Sequence, residues 1–224
     1  MSESVLDALR RAIISGAVAP GQRLVEADLC EQYSTTRTMA RAALIALSHE
    51  RLVERIPNRG AMVRAVSLAE AVEITEVRMA LEGLCAAKAA ERITDPQIDE
   101  LRTIGRDMRR AVASGDPVGY STLNEALHAR VRDIAGQATA AELLARLRAQ
   151  SVRHQFRLAL RPGRPQTSLP DHLAIIDEIC ARSPGGAERA MRRHLSSVIE
   201  ALQAHPTGDD WSSNAADAPV PDRG

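Results

Sequence analysis

The sequence predicts a mostly α-helical protein in two parts, an N-terminal winged helix-turn-helix and a C-terminal all-α bundle of six to seven helices. Hydrophobic residues make up 45% of the 224 positions but aromatics only 2%. The core is therefore aliphatic, which favours helix packed on helix. The first 66 residues alternate short helical patterns with turns and close on two extended runs. From Ser67 onward helix start signals recur with no strand pattern between them.

In order, Val5, Leu9 and Ile13 form one stripe of "SESVLDALRRAIISG", which Gly16 stops. "APGQRL" reads as a turn and "VEADLCEQY" as a short second helix. After the break "STT", Ala40, Leu44 and Leu47 recur at i, i+4, i+7. "RLVERI" and "AMVRAV" are extended runs separated by "PNRG", a two-stranded wing with hairpin-turn chemistry.

In a helix-turn-helix the second helix enters the major groove by its N-terminal end. Thr36, Arg37, Thr38 and Arg41 are the candidate contacts there. Arg37 and Arg41 are i, i+4 neighbours opposite the apolar stripe. Each guanidinium can take guanine O6 and N7 or clamp a phosphate, and the threonine hydroxyls suit phosphates. At the hairpin tip, Asn58, Arg59 and Gly60 place a cation within reach of a minor groove. A merely solvated arginine face is the competing reading. Residues 1–66 hold nine arginines against seven acidic residues, and the remainder 20 basic against 22 acidic. That balance permits nucleic-acid binding without demanding it.

From Ser67 the chain is a helix series. "SLAE" is a capping box, and Thr94 with Gln97, Asp116 with Pro117 and Ser183 with Pro184 are start signals. Helices are expected near 68–92, 95–114, 117–136, 139–160, 170–182 and 185–204, with "RPGRPQTS" as one long interior loop. The expected domains are 1–66 and 67–205, followed by a disordered tail over 206–224, where no periodic apolar pattern survives.

Polar residues break the apolar stripes of this second part. Asn124 and His128 share one helix face, His172 lies with Ile176 and Ile179, and His194 with Met191 and Val198. Each histidine alone reads as a satisfied core residue. Three on separate helices, converging with Asn124, can also gather a divalent transition metal, since neutral imidazoles suit Zn, Ni, Fe or Mn. Arg78 follows Ile74 by four residues and points at the bundle interior, where a guanidinium needs an anion. That anion is either an internal glutamate or a bound acid.

The N-terminal segments "LRRAIISGAVAPGQRLVEADL" and "TRTMARAALIALSHERLVERIPNRGAMV", in this order, resemble the DNA-binding domain of the GntR family of bacterial transcriptional regulators. "EITEVRMALEGLCAAKAA", "NEALH", "PDHLAIIDEI" and "AERAMRRHL" resemble the helical effector domain of its FadR-type branch. The resemblance implies a cytoplasmic homodimer on an inverted repeat of double-stranded DNA, answering to a small organic acid. It implies that Arg78 faces the effector, and that Asn124, His128, His172 and His194 hold the metal. Met39 and Ala42 replace the family's usual Pro and Glu, and Arg51 stands where Gly is common.

Other classes fare worse. A helical metalloenzyme acting on a small carboxylic acid is the main alternative, but there is no H-E-x-x-H, P-loop or dinucleotide fingerprint. A structural adaptor is the third reading. Cys30, Cys85 and Cys180 are odd in number and far apart, as reduced cytoplasmic thiols are, and neither a leader nor a membrane anchor is expected.

Overall fold

The computed structural model describes residues 4–57, 59–159 and 161–204, so Asn58 and the tail expected over 206–224 lie outside the described residues. The described residues divide into two compact units that meet in sequence at Ser67 and Leu68.

In the first unit, Ser4 caps α1 (Val5–Ser15) by accepting from the Asp7 N–H at 3.2 Å. Val5, Leu9 and Ile13 are buried, as their spacing requires. β1 (Arg23–Leu24), α2 (Glu26–Gln32) and α3 (Arg37–His49) follow. Thr36 caps α3, accepting from Met39 N–H, and Ala40, Leu44 and Leu47 face inward. β2 (Val53–Ile56) and β3 (Gly60–Val63) form the expected hairpin, with Ile56 opposite Gly60.

The wing has three strands among the described residues, ordered β1-β3-β2, where two were expected. Arg23 pairs with Met62 and Leu24 with Ala61. A strand of two residues has no alternation to read, so "APGQRL" resembles a turn throughout. Gly60 opens β3 beside the hairpin turn. At φ +89°, any Cβ there would lie 2.1 Å from the Leu24 carbonyl oxygen, so the close pass of β1 requires glycine.

The end of α3 explains another position. Arg51 adopts φ +58°, its N–H reaching the Ser48 carbonyl while Leu52 N–H reaches that of Leu47. This left-handed closure favours glycine, the residue common there in the resembling family.

The second unit holds six helices among its described residues: α4 (Leu68–Arg92), α5 (Asp95–Ala113), α6 (Pro117–Ala135), α7 (Ala138–Ala159), α8 (Arg164–Cys180) and α9 (Pro184–Gln203). α4 packs against α6, α7, α8 and α9. Ala86, Ala89 and Ala90 are fully buried and allow close helix approach. Around them Leu101, Met108, Leu127, Leu144, Ile175 and Ile179 fill an aliphatic core. Gln97 accepts from Thr94 N–H at 3.0 Å and Asp116 from Gly119 N–H at 2.8 Å, whereas Ser183 makes no side-chain cap bond.

The expected loop "RPGRPQTS" is mostly helix, because α8 begins at Arg164 rather than Pro170. Pro165 sits in the first turn, where no N–H is needed. Pro170 lies inside α8 and forfeits one helix bond, which neighbouring packing outweighs. No described helix is long and apolar enough to cross a membrane.

Candidate metal centre and DNA-facing helix

Thr36, Arg37, Thr38 and Arg41 are all exposed at the start of α3, as is Met39. Arg37 has no carboxylate within ion-pair distance among the described residues. Arg41 is engaged: Glu26 accepts from its Nε at 2.8 Å and its Nη2 at 2.9 Å. The hydrogen bond from Arg41 lowers the Glu26 carboxyl's pKa. One edge of the Arg41 guanidinium is thus occupied, and its tip remains outward. Arg59 is exposed, and its carbonyl accepts from the Arg23 Nε and Nη2, each at 3.2 Å, tying the hairpin tip to β1.

In the second unit three helices bring the histidines together. His128 comes from α6, His172 from α8 and His194 from α9, with exposures of 3%, 1% and 4%. Their candidate ligand atoms all lie within 4.8 Å of one another. Burial, aided by neighbouring positive and imidazole groups, holds the pKa of His172 and His194 well below the ordinary histidine range. Those rings are neutral, so each carries a lone pair. His172 Nδ1 is 2.8 Å from the Tyr120 hydroxyl, which leaves Nε2 for the cluster.

The His128 Nδ1–Glu82 Oε2 separation is 2.5 Å, off the line of an ideal hydrogen bond. Distance decides here, since two such atoms approach so closely only with a proton between them. Glu82 therefore turns the other nitrogen of His128 inward. Glu82 Oε1 accepts from Arg78 Nε at 3.0 Å and Nη2 at 2.7 Å, and Arg148 Nη1 stands 3.8 Å away. Burial pushes the Glu82 pKa upward, but Arg78 and His128 outweigh it and hold the carboxyl well below its usual range.

His172 Nε2, His194 Nδ1 and Asn124 Oδ1 are buried without hydrogen-bond partners, and so is Arg78 Nη1. An unsatisfied buried polar atom costs about 1–3 kcal/mol, so such atoms scattered through a core would be a heavy burden. The two ring nitrogens belong to one histidine cluster whose donor set fits a divalent cation, and the Asn124 amide lines the same cavity. All four of the expected metal residues line one cavity, together with Arg78, Arg148 and Arg164.

An internal glutamate is one of the two partners the sequence allows Arg78, and the structure supplies it in Glu82, one turn along α4. Sequence reasoning misses Tyr120, although it precedes Asn124 and His128 at i, i+4, i+8 spacing. Arg164 falls in the segment that reads as a loop, and no local signal marks Arg148.

Residues 1–63 match the family described as bacterial regulatory proteins, gntR family, and residues 73–197 match the FCD domain. The HTH-type transcriptional repressor RspR of Escherichia coli K12 is 27% identical over 214 residues, spanning 95% of this chain and 94% of the repressor. An HTH-type transcriptional regulator in an unstable DNA locus of Streptomyces ambofaciens is 30% identical, across 95% of this chain and 90% of its own length. Among solved structures, E. coli McbR/YncC matches with a TM-score of 0.74 at 21% identity, over 92% of this chain and 99% of that one. A GntR transcriptional regulator from Rhodococcus sp. RHA1 gives 0.65 at 24%, over 89% and 96%. These two likenesses establish the fold. The families and relatives matched are transcriptional regulators, not enzymes.

Proposed function

This chain belongs to the GntR family of bacterial regulatory proteins with an FCD domain and is a DNA-binding transcriptional regulator; from that premise we propose that it is a metal-dependent acid sensor acting as a repressor. The observation that carries the sensor reading is the buried cluster of three histidines whose candidate ligand atoms lie within 4.8 Å of one another, in a cavity that Asn124 also lines. His128, His172 and His194 would hold a divalent metal such as Zn, Ni, Fe or Mn, with the Asn124 carbonyl as the weaker fourth ligand. When bound, the metal supplies positive charge and coordination positions for an acid's oxygens. Among the four there is no protein anion, so the site stays cationic and selects an acidic effector.

The chain's own residues prepare the site. Glu82 fixes His128, Tyr120 fixes His172, and Arg78 offers the effector its Nη1 while its charge is offset by Glu82. In the DNA-binding unit, Arg37 and Arg41 read bases, Thr36, Thr38 and Arg59 contact phosphates or the minor groove, and Glu26 braces Arg41. A homodimer places two such helices on an inverted repeat in the cytoplasm. The repressor sense is supported by the name of the E. coli relative.

The test is metal analysis of protein purified without a nickel column, paired with mobility shift on the chain's own upstream DNA. The expected result is bound metal and a shifted operator that a small acid releases. Protein that takes up no metal after incubation with zinc, nickel or manganese would return the histidines to the core.

A further inference from the structure

The start of α3 carries exposed apolar surface beside its arginines. Among the described residues of the first unit, Met39 is the large hydrophobic side chain left exposed, at 53%. It stands in the first turn, where its N–H donates to the Thr36 hydroxyl at 3.3 Å. Ala42 follows Met39 by three residues and Thr38 by four, so the three side chains adjoin on the helix surface. Thr38 and Ala42 are exposed as well. Arg37 and Arg41 run along one side of this patch, a turn apart. Glu26 of α2 holds the Arg41 guanidinium at 2.8 and 2.9 Å, and Met39 and Ala42 stay uncovered.

A single exposed methionine is ordinary on a protein surface. Its place decides the matter here, because the first turn of the second helix is the part that meets base edges in a helix-turn-helix. Chemistry then narrows what the patch can meet. The Ala42 methyl has no hydrogen-bonding atom, and the Met39 thioether is only a weak acceptor. Neither side chain attracts a phosphate. Base edges in the major groove present donors, acceptors and one apolar group, the C5-methyl of thymine. The methionine side chain, flexible and unbranched, adapts its sulfur and terminal methyl to such a contact.

Resting on the reading above that α3 presents Arg37 and Arg41 to bases, we propose that Met39 is a specificity-determining residue that reads thymine. Its side chain packs on the C5-methyl of a thymine in the operator, beside the bases that the two arginines contact. The short Ala42 side chain leaves room for that methyl.

The experiment selects an operator from a pool of random duplexes with the full chain, then replaces each thymine in turn by deoxyuridine. That exchange removes the methyl and keeps the base pair. At one position at least, wild-type affinity should fall about threefold to tenfold, the range one buried methyl supplies. Met39→Ala should bind the thymine and deoxyuridine duplexes equally at that position, with unfolding temperature unchanged. Met39→Leu, still apolar and of similar volume, should keep part of the preference. Arg37→Ala should weaken both duplexes alike and leave their ratio intact. An operator in which no methyl matters, or a methyl effect that survives Met39→Ala, overturns the thymine contact. If Arg37→Ala still weakens binding in that case, base reading by α3 stands without it. A selection that yields no preferred sequence overturns both.

Discussion

Arg37 stands exposed at the start of α3 with no carboxylate within ion-pair distance among the described residues, whereas Arg78 is 3% exposed and held by a glutamate that is 2% exposed. The two units use the same side chain in opposite surroundings. On the first unit the guanidinium keeps its hydration, and its field acts at a distance. In the second unit most of the charge is already met inside the fold by Glu82, and only Nη1 is left without a hydrogen-bond partner. Burial, not residue type, separates an arginine left to solvent from one already met inside the fold. Arg41 and Arg164 are the intermediate cases. Arg41 is exposed but braced by Glu26, and Arg164 is half-buried and donates to the Ser197 hydroxyl, with no carboxylate within 4 Å among the described residues.

The contrast breaks first at Glu82. Glu82→Ala leaves Arg78 buried without its anion and should cost about 3–5 kcal/mol of stability. Chemical denaturation of the metal-free protein measures it, and a loss under about 1 kcal/mol would mean that Arg78 reaches water. Glu82→Gln, which spares volume, should still weaken metal affinity by about ten- to a hundredfold because His128 loses its orienting partner.

Metal loading comes next. At about 100 times its dissociation constant a bound metal adds roughly 2.7 kcal/mol to the stability of the helical unit. His128→Ala, His172→Ala and His194→Ala should each abolish that increment in thermal unfolding. Calorimetric scans in which the wild type gains nothing from metal would sink the site.

On the exposed side, Arg37→Ala should lose about 1–3 kcal/mol of operator affinity with no change in unfolding temperature. Titration across salt concentrations sharpens the point. A base contact relaxes specificity at one position, while a phosphate contact weakens all sequences alike and flattens the salt slope. The smallest effect is expected at Arg51, where Arg51→Gly relieves a left-handed backbone and should stabilise the first unit by roughly 1 kcal/mol. A destabilised variant would show that the arginine side chain, not the backbone, decides that position.

Helix faces are the most legible feature of this chain. Val5, Leu9 and Ile13, or His172 with Ile176 and Ile179, repeat at the spacing that burial demands, so periodicity alone gives their inward direction. Pairings between distant segments are not legible. Leu24 beside Ala61 leaves no periodic mark in two residues, and Glu82 beside His128 joins two helices by contacts that no local pattern encodes. Prolines mislead at α8, because Pro165 fits a first turn and Pro170 is tolerated within, yet together with Gly163 they imitate a loop. An arginine in an apparent loop belongs to no face, so nothing in the sequence marks Arg164 as inward. The candidate site's histidines are thus visible as faces, while Glu82 and Tyr120, which contact two of them, are not.

The scarcity of aromatic residues has an optical consequence. The chain holds two tyrosines and one tryptophan. Tyr33 closes α2 in the first unit, and Tyr120 touches His172 in the second. Each unit therefore carries its own tyrosine chromophore. With Trp211→Phe and Tyr33→Phe, absorbance and emission would come from a phenol hydrogen-bonded to a ring of the histidine cluster. Its spectrum would register occupancy of that cluster directly, with no attached dye and no need for DNA.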